Sequence, residues 1–145
     1  MTTQTFERPS ADSAAHHPVA ELPPIAMTQE DRDRLAPLAE AATRIFPRTA
    51  DFLTREIERA QIVPGSASPA DLVTMGSEVE FRDDVSGDVR RMRLVYPEEA
   101  DVGAGKISVL TPVGAALIGL SVGQSIEFQT PAGGWRSLTA LAVRR

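Results

Sequence analysis

The amino-acid sequence predicts an α+β protein: a short N-terminal antiparallel helical hairpin, then a small antiparallel sheet domain with one short helix. Three observations carry this expectation. Apolar residues recur at spacings of three and four between residues 28 and 61, and they alternate with polar ones in short runs beyond residue 76. The stretch Ile107–Gly123, ISVLTPVGAALIGLSVG, compresses a strand, a turn and a glycine-bounded helix into one unit.

Residues 1–26 mix Thr, Ser, Ala, Pro and two His with little periodicity, which predicts a disordered leader unable to offset its ordering entropy. It has no basic start followed by an apolar run, so a secretory signal is not expected. His16 and His17 are adjacent with no third ligand nearby, and read as solvated side chains rather than metal ligands.

The hairpin is expected over residues 27–63. Thr28 reads as an N-cap, with Asp31 in a near capping-box position. Leu35, Leu38, Ala39, Ala42, Ile45 and Phe46 give the first helix an apolar face. Pro37 falls inside and is expected to kink that helix or divide it. Pro47 suits the first turn of a second helix running through TADFLTREIERAQ. Its seam is Ala50, Leu53, Ile57 and Ala60, with Arg55, Glu56, Glu58 and Arg59 on the outer surface. Arms of about 15 residues at ~1.5 Å each reach only on the order of 20 Å, a short coiled-coil appendage.

The turn-forming run PGSASPA, residues 64–70, opens a C-terminal domain over 64–145. Val79 and Phe81 alternate in its first strand, and Val89–Val95 follows across the turn DDVSGD. Lys106–Val109, Ser125–Gln129 and Trp135–Val143 supply the others, the last two joined by Pro131–Gly134. Ile107 and Val109 flank Ser108 as in a half-buried strand, and Thr111-Pro112 ends the pairing and starts a helix through Ala115–Ile118. Gly119 and Gly123 stop it.

Composition narrows the function classes. The chain has 145 residues, 42% of them hydrophobic, enough for a core without staples, and no cysteine, which excludes disulfides and thiol chemistry. No apolar run approaches the ~18 residues that cross a bilayer, so a cytoplasmic protein is expected. A net charge of -5 argues against a sequence-independent grip on DNA or RNA, leaving any such contact indirect or weak. Arg90, Arg91 and Arg93 read first as a solvated face and second as a macromolecular contact. Gly103–Lys106 lacks the spacing of a phosphate-binding loop, and Asp83-Asp84-Asp88 and Glu98-Glu99-Asp101 lack that of a calcium loop.

Ile107–Gly123 closely resembles the C-terminal signature of the Gre transcript-cleavage factors, roughly I-S-x-x-S-P-x-G-x-A-L-x-G-x-x-V-G-D, with Gln124 in place of the Asp. GSEVEFRD (Gly76–Asp83) and LVYPEEADVGAGKI (Leu94–Ile107) resemble that domain's opening strand and its V-x-P-x-E-A-D connection. About half the chain is covered. Within the family, EIERAQIV (Glu56–Val63), DLVTMGSEVEFR and LTPVGAALIGLSVG look like the Rnk group, named for regulation of nucleoside diphosphate kinase.

The resemblance implies an FKBP-like fold for the C-terminal domain. It also implies a hairpin that enters the secondary channel of RNA polymerase, where two tip acids help hold a second magnesium for cleavage of backtracked RNA. The expected tip here, Thr43–Arg48, contains no acid; Arg44, Ile45, Phe46 and Arg48 stand there instead, with Glu40 and Asp51 each about a turn back. No catalytic residue, metal ligand or cofactor is therefore carried over. The family's docking loop lies around the S-P dipeptide, which transfers to Leu110, Thr111, Pro112 and Val113, with Leu110 where the family often has a polar or acidic residue.

The expectation is thus a monomeric RNA polymerase-binding regulator that does not stimulate transcript cleavage and competes at the secondary-channel rim. The alternative is an effector of nucleoside diphosphate kinase and nucleotide pools, direct or through gene expression. A third class follows from FKBP-like folds that are prolyl isomerases. Aromatics are only 5% of this chain, however, and Phe81, Tyr96, Phe128 and Trp135 read as strand core or turn packing.

Overall fold

The computed structural model describes residues 22–145. Thr28 caps helix α1 (Gln29–Ala41), its Oγ1 accepting from the Asp31 amide at 3.1 Å, and Pro47 takes the first turn of α2 (Pro47–Arg59). Leu35, Ala39, Ala42, Ala50, Leu53 and Ile57 close the seam between the two helices. Two three-residue strands flank them: β1 (Ala26–Thr28) pairs in parallel with β2 (Gln61–Val63), clamping the hairpin at its base. Strands this short leave no alternation to read.

Several expectations for the hairpin are corrected. Helix α1 is continuous through Pro37, which does not divide it. Ile45 and Phe46 follow the helix rather than extend its apolar face; they lie in the tip, exposed. Glu56 is not on the outer surface but 1% exposed. Helix α2 stops at Arg59, because Gln61 is already committed to β2. Of the leader expected over 1–26, residues 22–26 belong to the fold: Ile25 is buried, its carbonyl accepts from the Gln61 amide at 3.0 Å, and the Ala26 amide donates to Gly119 at 3.1 Å. The rest of that stretch, with His16 and His17, lies outside the described residues.

The sheet domain contains β3 (Glu78–Asp83), β4 (Val89–Val95), β5 (Lys106–Ser108), β6 (Ser125–Gln129) and β7 (Trp135–Arg144), in the spatial order β5-β4-β3-β7-β6. Its strands are not all antiparallel, because β5 runs parallel to β4, with Arg93 opposite Lys106. The chain between them crosses over through two single turns of 3-10 helix, Pro97–Glu99 and Val102–Ala104, instead of a hairpin turn. The β3–β4 turn is tight as expected: Gly87 has φ 83°, and the Asp83 carboxylate accepts from the Val85 and Ser86 amides.

One hydrophobic core spans both parts. Met27, Leu35, Leu53 and Ile57 of the hairpin join Val79, Phe81, Leu94, Ile126, Phe128, Leu138 and helix α3 (Pro112–Leu117) in a single cluster. The hairpin is therefore packed onto the sheet domain and is no appendage. Ile107, Ser108 and Val109 are all buried, so β5 is covered on both sides and does not show the half-buried alternation. Two glycines allow this packing. A Cβ on Gly114 would meet the Ser108 carbonyl oxygen at 2.1 Å, and Gly119 holds φ 87° where a Cβ would come within 3.0 Å of the Ala26 carbonyl.

Candidate functional site

Two turns carry the candidate residues, and the structure treats them differently. In the α3 turn, Thr111 is used by the fold: its Oγ1 donates to the Ser108 carbonyl at 2.7 Å and accepts from the Gly114 amide at 3.0 Å. Leu110 and Val113 are half-buried against the core, and the Leu110 amide donates to Ser108 Oγ at 3.0 Å. Pro112 supplies φ at the helix start and faces a groove. The loop is thereby rigid, with only part of each side chain showing.

The hairpin tip is tied by both backbone and side-chain hydrogen bonds. The Ile45 and Phe46 amides both donate to the Ala42 carbonyl, at 3.1 and 2.8 Å, and the Thr43 hydroxyl donates to Ala39 at 3.2 Å. Arg44 is exposed, Ile45 is 72% exposed and Phe46 47%. Arg48 turns back toward the sheet domain, and its Nη1 donates to the Thr130 carbonyl at 3.3 Å. No carboxylate lies between Glu40 and Asp51, and Asp51 is engaged by Arg55 at 2.7 Å. Among the described residues, no group of three or more His, Cys, Asp or Glu could hold a metal ion.

Between these turns, α2 and the edge of the sheet leave a groove of about 240 Å³. Phe52, Pro112, Ala115, Phe128 and Trp135 give it apolar walls, and Arg48, Asp51, Arg55 and Glu127 surround it. Trp135 is 47% exposed, so it is only partly the turn packing expected of it. Phe81 and Phe128 are core residues; Tyr96 is half-buried, with the Arg34 guanidinium 3.9 Å from its ring centroid. Burial, then the nearby Asp31 charge, pushes the Tyr96 hydroxyl above its ordinary pKa.

Two of the hairpin's carboxylates, Asp31 and Glu56, are buried and engaged within the fold. Asp31 does not complete a capping box; buried, its Oδ2 accepts from the Met75 amide at 3.0 Å, bridging α1 to the sheet domain. Burial raises its pKa despite that hydrogen bond. Glu56 accepts two bonds from Arg59, at 2.6 and 3.0 Å, and Arg59 also donates to the Pro23 carbonyl at 2.6 Å. Both acids lie in phase with the apolar seams, Asp31 four residues before Leu35 and Glu56 three after Leu53, and escape that reading only because carboxylates are ordinarily exposed. The i, i+3 spacing of Glu56 and Arg59 was the available signal.

Several charged groups of the sheet domain form surface pairs. Asp83 is held below its ordinary pKa chiefly by the Arg136 hydrogen bond. Burial pushes Asp84 up, but hydrogen bonds from Thr139, Ser137 and Arg82 outweigh it, and the net shift is downward. Arg91 pairs with Glu80 at 3.5 Å and Arg93 donates to the Gly76 carbonyl, which fits a solvated charged face. Lys106 lies at the start of β5, and Gly105 before it takes φ 77° to close a 3-10 turn.

Residues 68–145 match the family described as Transcription elongation factor, GreA/GreB, C-term, and residues 23–63 match the Rnk N-terminus. The "Regulator of nucleoside diphosphate kinase" of Escherichia coli strain K12 is 40% identical over 111 residues, 77% of this chain and 82% of that protein. The chain belongs to the Rnk group of the GreA/GreB family. Its likeness to a GreA proper is less extensive: the Transcription elongation factor GreA of Syntrophobacter fumaroxidans is 40% identical over 63% of this chain and 58% of its own length. The solved structure of a prokaryotic transcription elongation factor GreA/GreB from Nitrosomonas europaea superposes with a TM-score of 0.66 at 36% identity, covering 83% of this chain and 99% of that one. These relatives are named as regulators and elongation factors, and this chain is a Gre-related regulator with the Rnk arrangement of a short hairpin before the Gre-type domain. Among the described residues, no helix is long and apolar enough to cross a membrane.

Proposed function

We propose that this protein acts as a monomer in the cytoplasm, binds RNA polymerase through its Gre-type domain, and does not stimulate transcript cleavage. The observation that carries this reading is a rigid, capped Leu110–Val113 turn beside a hairpin tip with no carboxylate. A magnesium ion requires hard oxygen ligands, and Arg44 and Arg48 repel a cation where the family delivers one. The hairpin's buried acids, Asp31 and Glu56, are spent on internal bonds and cannot substitute. Binding without cleavage makes the protein a competitor of cleavage factors at the secondary-channel rim. Contact with DNA or RNA is indirect or weak, since Arg91 and Arg93 are engaged by their own sheet domain.

Affinity for purified core RNA polymerase tests the docking step, with Leu110→Asp and Pro112→Ala as the probes. Loss of binding by either, with thermal stability retained, supports the loop; unchanged binding by both removes it from the interface. A second reading rests on the name of the Escherichia coli relative, 40% identical to this chain. In it the protein regulates nucleoside diphosphate kinase, directly or through gene expression. Co-purification with the kinase but not with polymerase would favour it.

A further inference from the structure

We propose that the outer edge of β6 is a strand-addition site, which takes an extended, uncharged peptide segment with one large apolar side chain seated in the adjoining groove. The inference is independent of the polymerase reading. Strand β6 closes one end of the sheet, and among the described residues no other strand pairs with its outer edge. Its inner bonds fix which groups face outward. The Thr130 amide donates to the Gly134 carbonyl at 2.8 Å and the Ala140 amide to the Gln124 carbonyl at 3.1 Å, so Ile126 and Phe128, in phase with them, turn their backbone groups to β7. The backbone groups of Ser125 and Gln129 therefore point away from the sheet. The opposite edge is blunted: β5 has three residues, begins with Lys106 and is buried at Ile107 and Ser108. Strand β6 has five residues, with neither lysine nor proline among them.

The groove sets the chemistry of the occupant. Side chains alternate between the two faces of a strand, yet the consecutive residues Glu127, Phe128 and Gln129 all line it, so it follows the edge of β6 rather than one face. Phe52, Pro112, Ala115 and Trp135 supply its apolar walls. At about 240 Å³ it falls below the ~300–1,000 Å³ of ordinary small-molecule sites, and suits one large side chain of a longer segment. The rim disfavours an ionic segment. Asp51 pairs with Arg55 at 2.7 Å, Glu56 is held by Arg59, Arg48 donates to the Thr130 carbonyl, and Glu127 is engaged as well. A charge entering here would lose water without gaining a partner. Backbone bonds along the edge supply affinity, and the groove selects the side chain that enters it.

Trp135, the only tryptophan in the chain, reports on the groove through its fluorescence. The probes are capped seven-residue peptides of alternating threonine and valine, with phenylalanine or leucine at the centre, titrated into the full chain. The expected result is a saturable change in emission with at least one of them below ~1 mM, and amide exchange at Gln129 slowed about tenfold or more at saturation. N-methylation of one alternate set of peptide amides, but not of the other, should weaken binding about tenfold or more, and so should aspartate at the centre. Gln129→Pro removes an outward N–H that an edge strand can spare; with its thermal midpoint retained, it should lose binding to the same degree. Unchanged emission with every probe at ~1 mM overturns the proposal. So does a peptide that binds with Gln129 exchange unaltered and N-methylation of either set tolerated, for the groove would then hold a side chain without adding a strand. Neither result bears on polymerase docking, which is measured separately.

Discussion

The hairpin and the sheet domain dispose of their acids in opposite ways. In the hairpin, Asp31 and Glu56 turn inward and hold the helices to the rest of the protein, while Arg44, Ile45 and Phe46 occupy the tip. In the sheet domain, Asp83 and Asp84 stay at the rim, tied to Arg136, Arg82, Ser137 and Thr139, and the interior is almost wholly hydrocarbon. The difference teaches what this hairpin is for. Carboxylates that secure attachment are not available for chemistry at the tip, and a hairpin fused to the common core is not a free rod.

The comparison can be broken at three places. The largest effect is expected from Gly114→Ala in the sheet domain, where the new methyl group meets backbone at 2.1 Å rather than a side chain that can move. Overpacking of this kind costs about 3 kcal/mol or more, so the urea midpoint should fall sharply and polymerase binding with it. Retention of parental stability would show that α3 is not seated as described.

Glu56→Ala comes next. Removing one member of a fully buried pair costs ~3–5 kcal/mol. Here Arg59 remains partly exposed and keeps the Pro23 carbonyl, so a loss of about 2 kcal/mol is expected. A change within error would return Glu56 to the solvated face and loosen the contrast between the two regions.

Asp31→Asn gives the smallest effect and sharpens the contrast through pH. The folded pKa of Asp31 lies above its ordinary 3.8, so its stabilising contribution is full below that value and is lost as pH rises through the raised pKa. Asn keeps an oxygen for the Met75 amide without the cost of a buried charge. The variant should match or exceed the parent at neutral pH, and its advantage should shrink on acidification. Asp83 and Asp84, held low, contribute the opposite slope, losing stability as pH falls through their depressed values. Parallel pH curves for variant and parent would refute the assignment to Asp31.

Much of this was legible in the sequence. The Thr28 cap, the Pro47 and Pro112 helix starts and the bounds of β4 and β6 follow from local backbone chemistry, and they stand where punctuation places them. What was not legible depends on contacts between distant segments. Glu56 looked like a surface residue because the segment before α1 that reaches its partner Arg59, through the Pro23 carbonyl, is distant in sequence. The parallel pairing of β4 with β5 required knowing where the crossover returns. At the candidate site, the missing tip acids were evident from the residues alone; the groove and the Arg48–Thr130 link were not, since residues 48 and 130 meet only in the folded chain.

The central claim is that this protein occupies the polymerase without delivering a metal. Its most direct test is transcript cleavage in a reconstituted backtracked elongation complex, with the protein alone and together with a Gre factor. The expected result is no cleavage above the intrinsic rate from the protein alone, and a dose-dependent fall in Gre-stimulated cleavage when both are present. Robust cleavage by the protein alone would contradict the account.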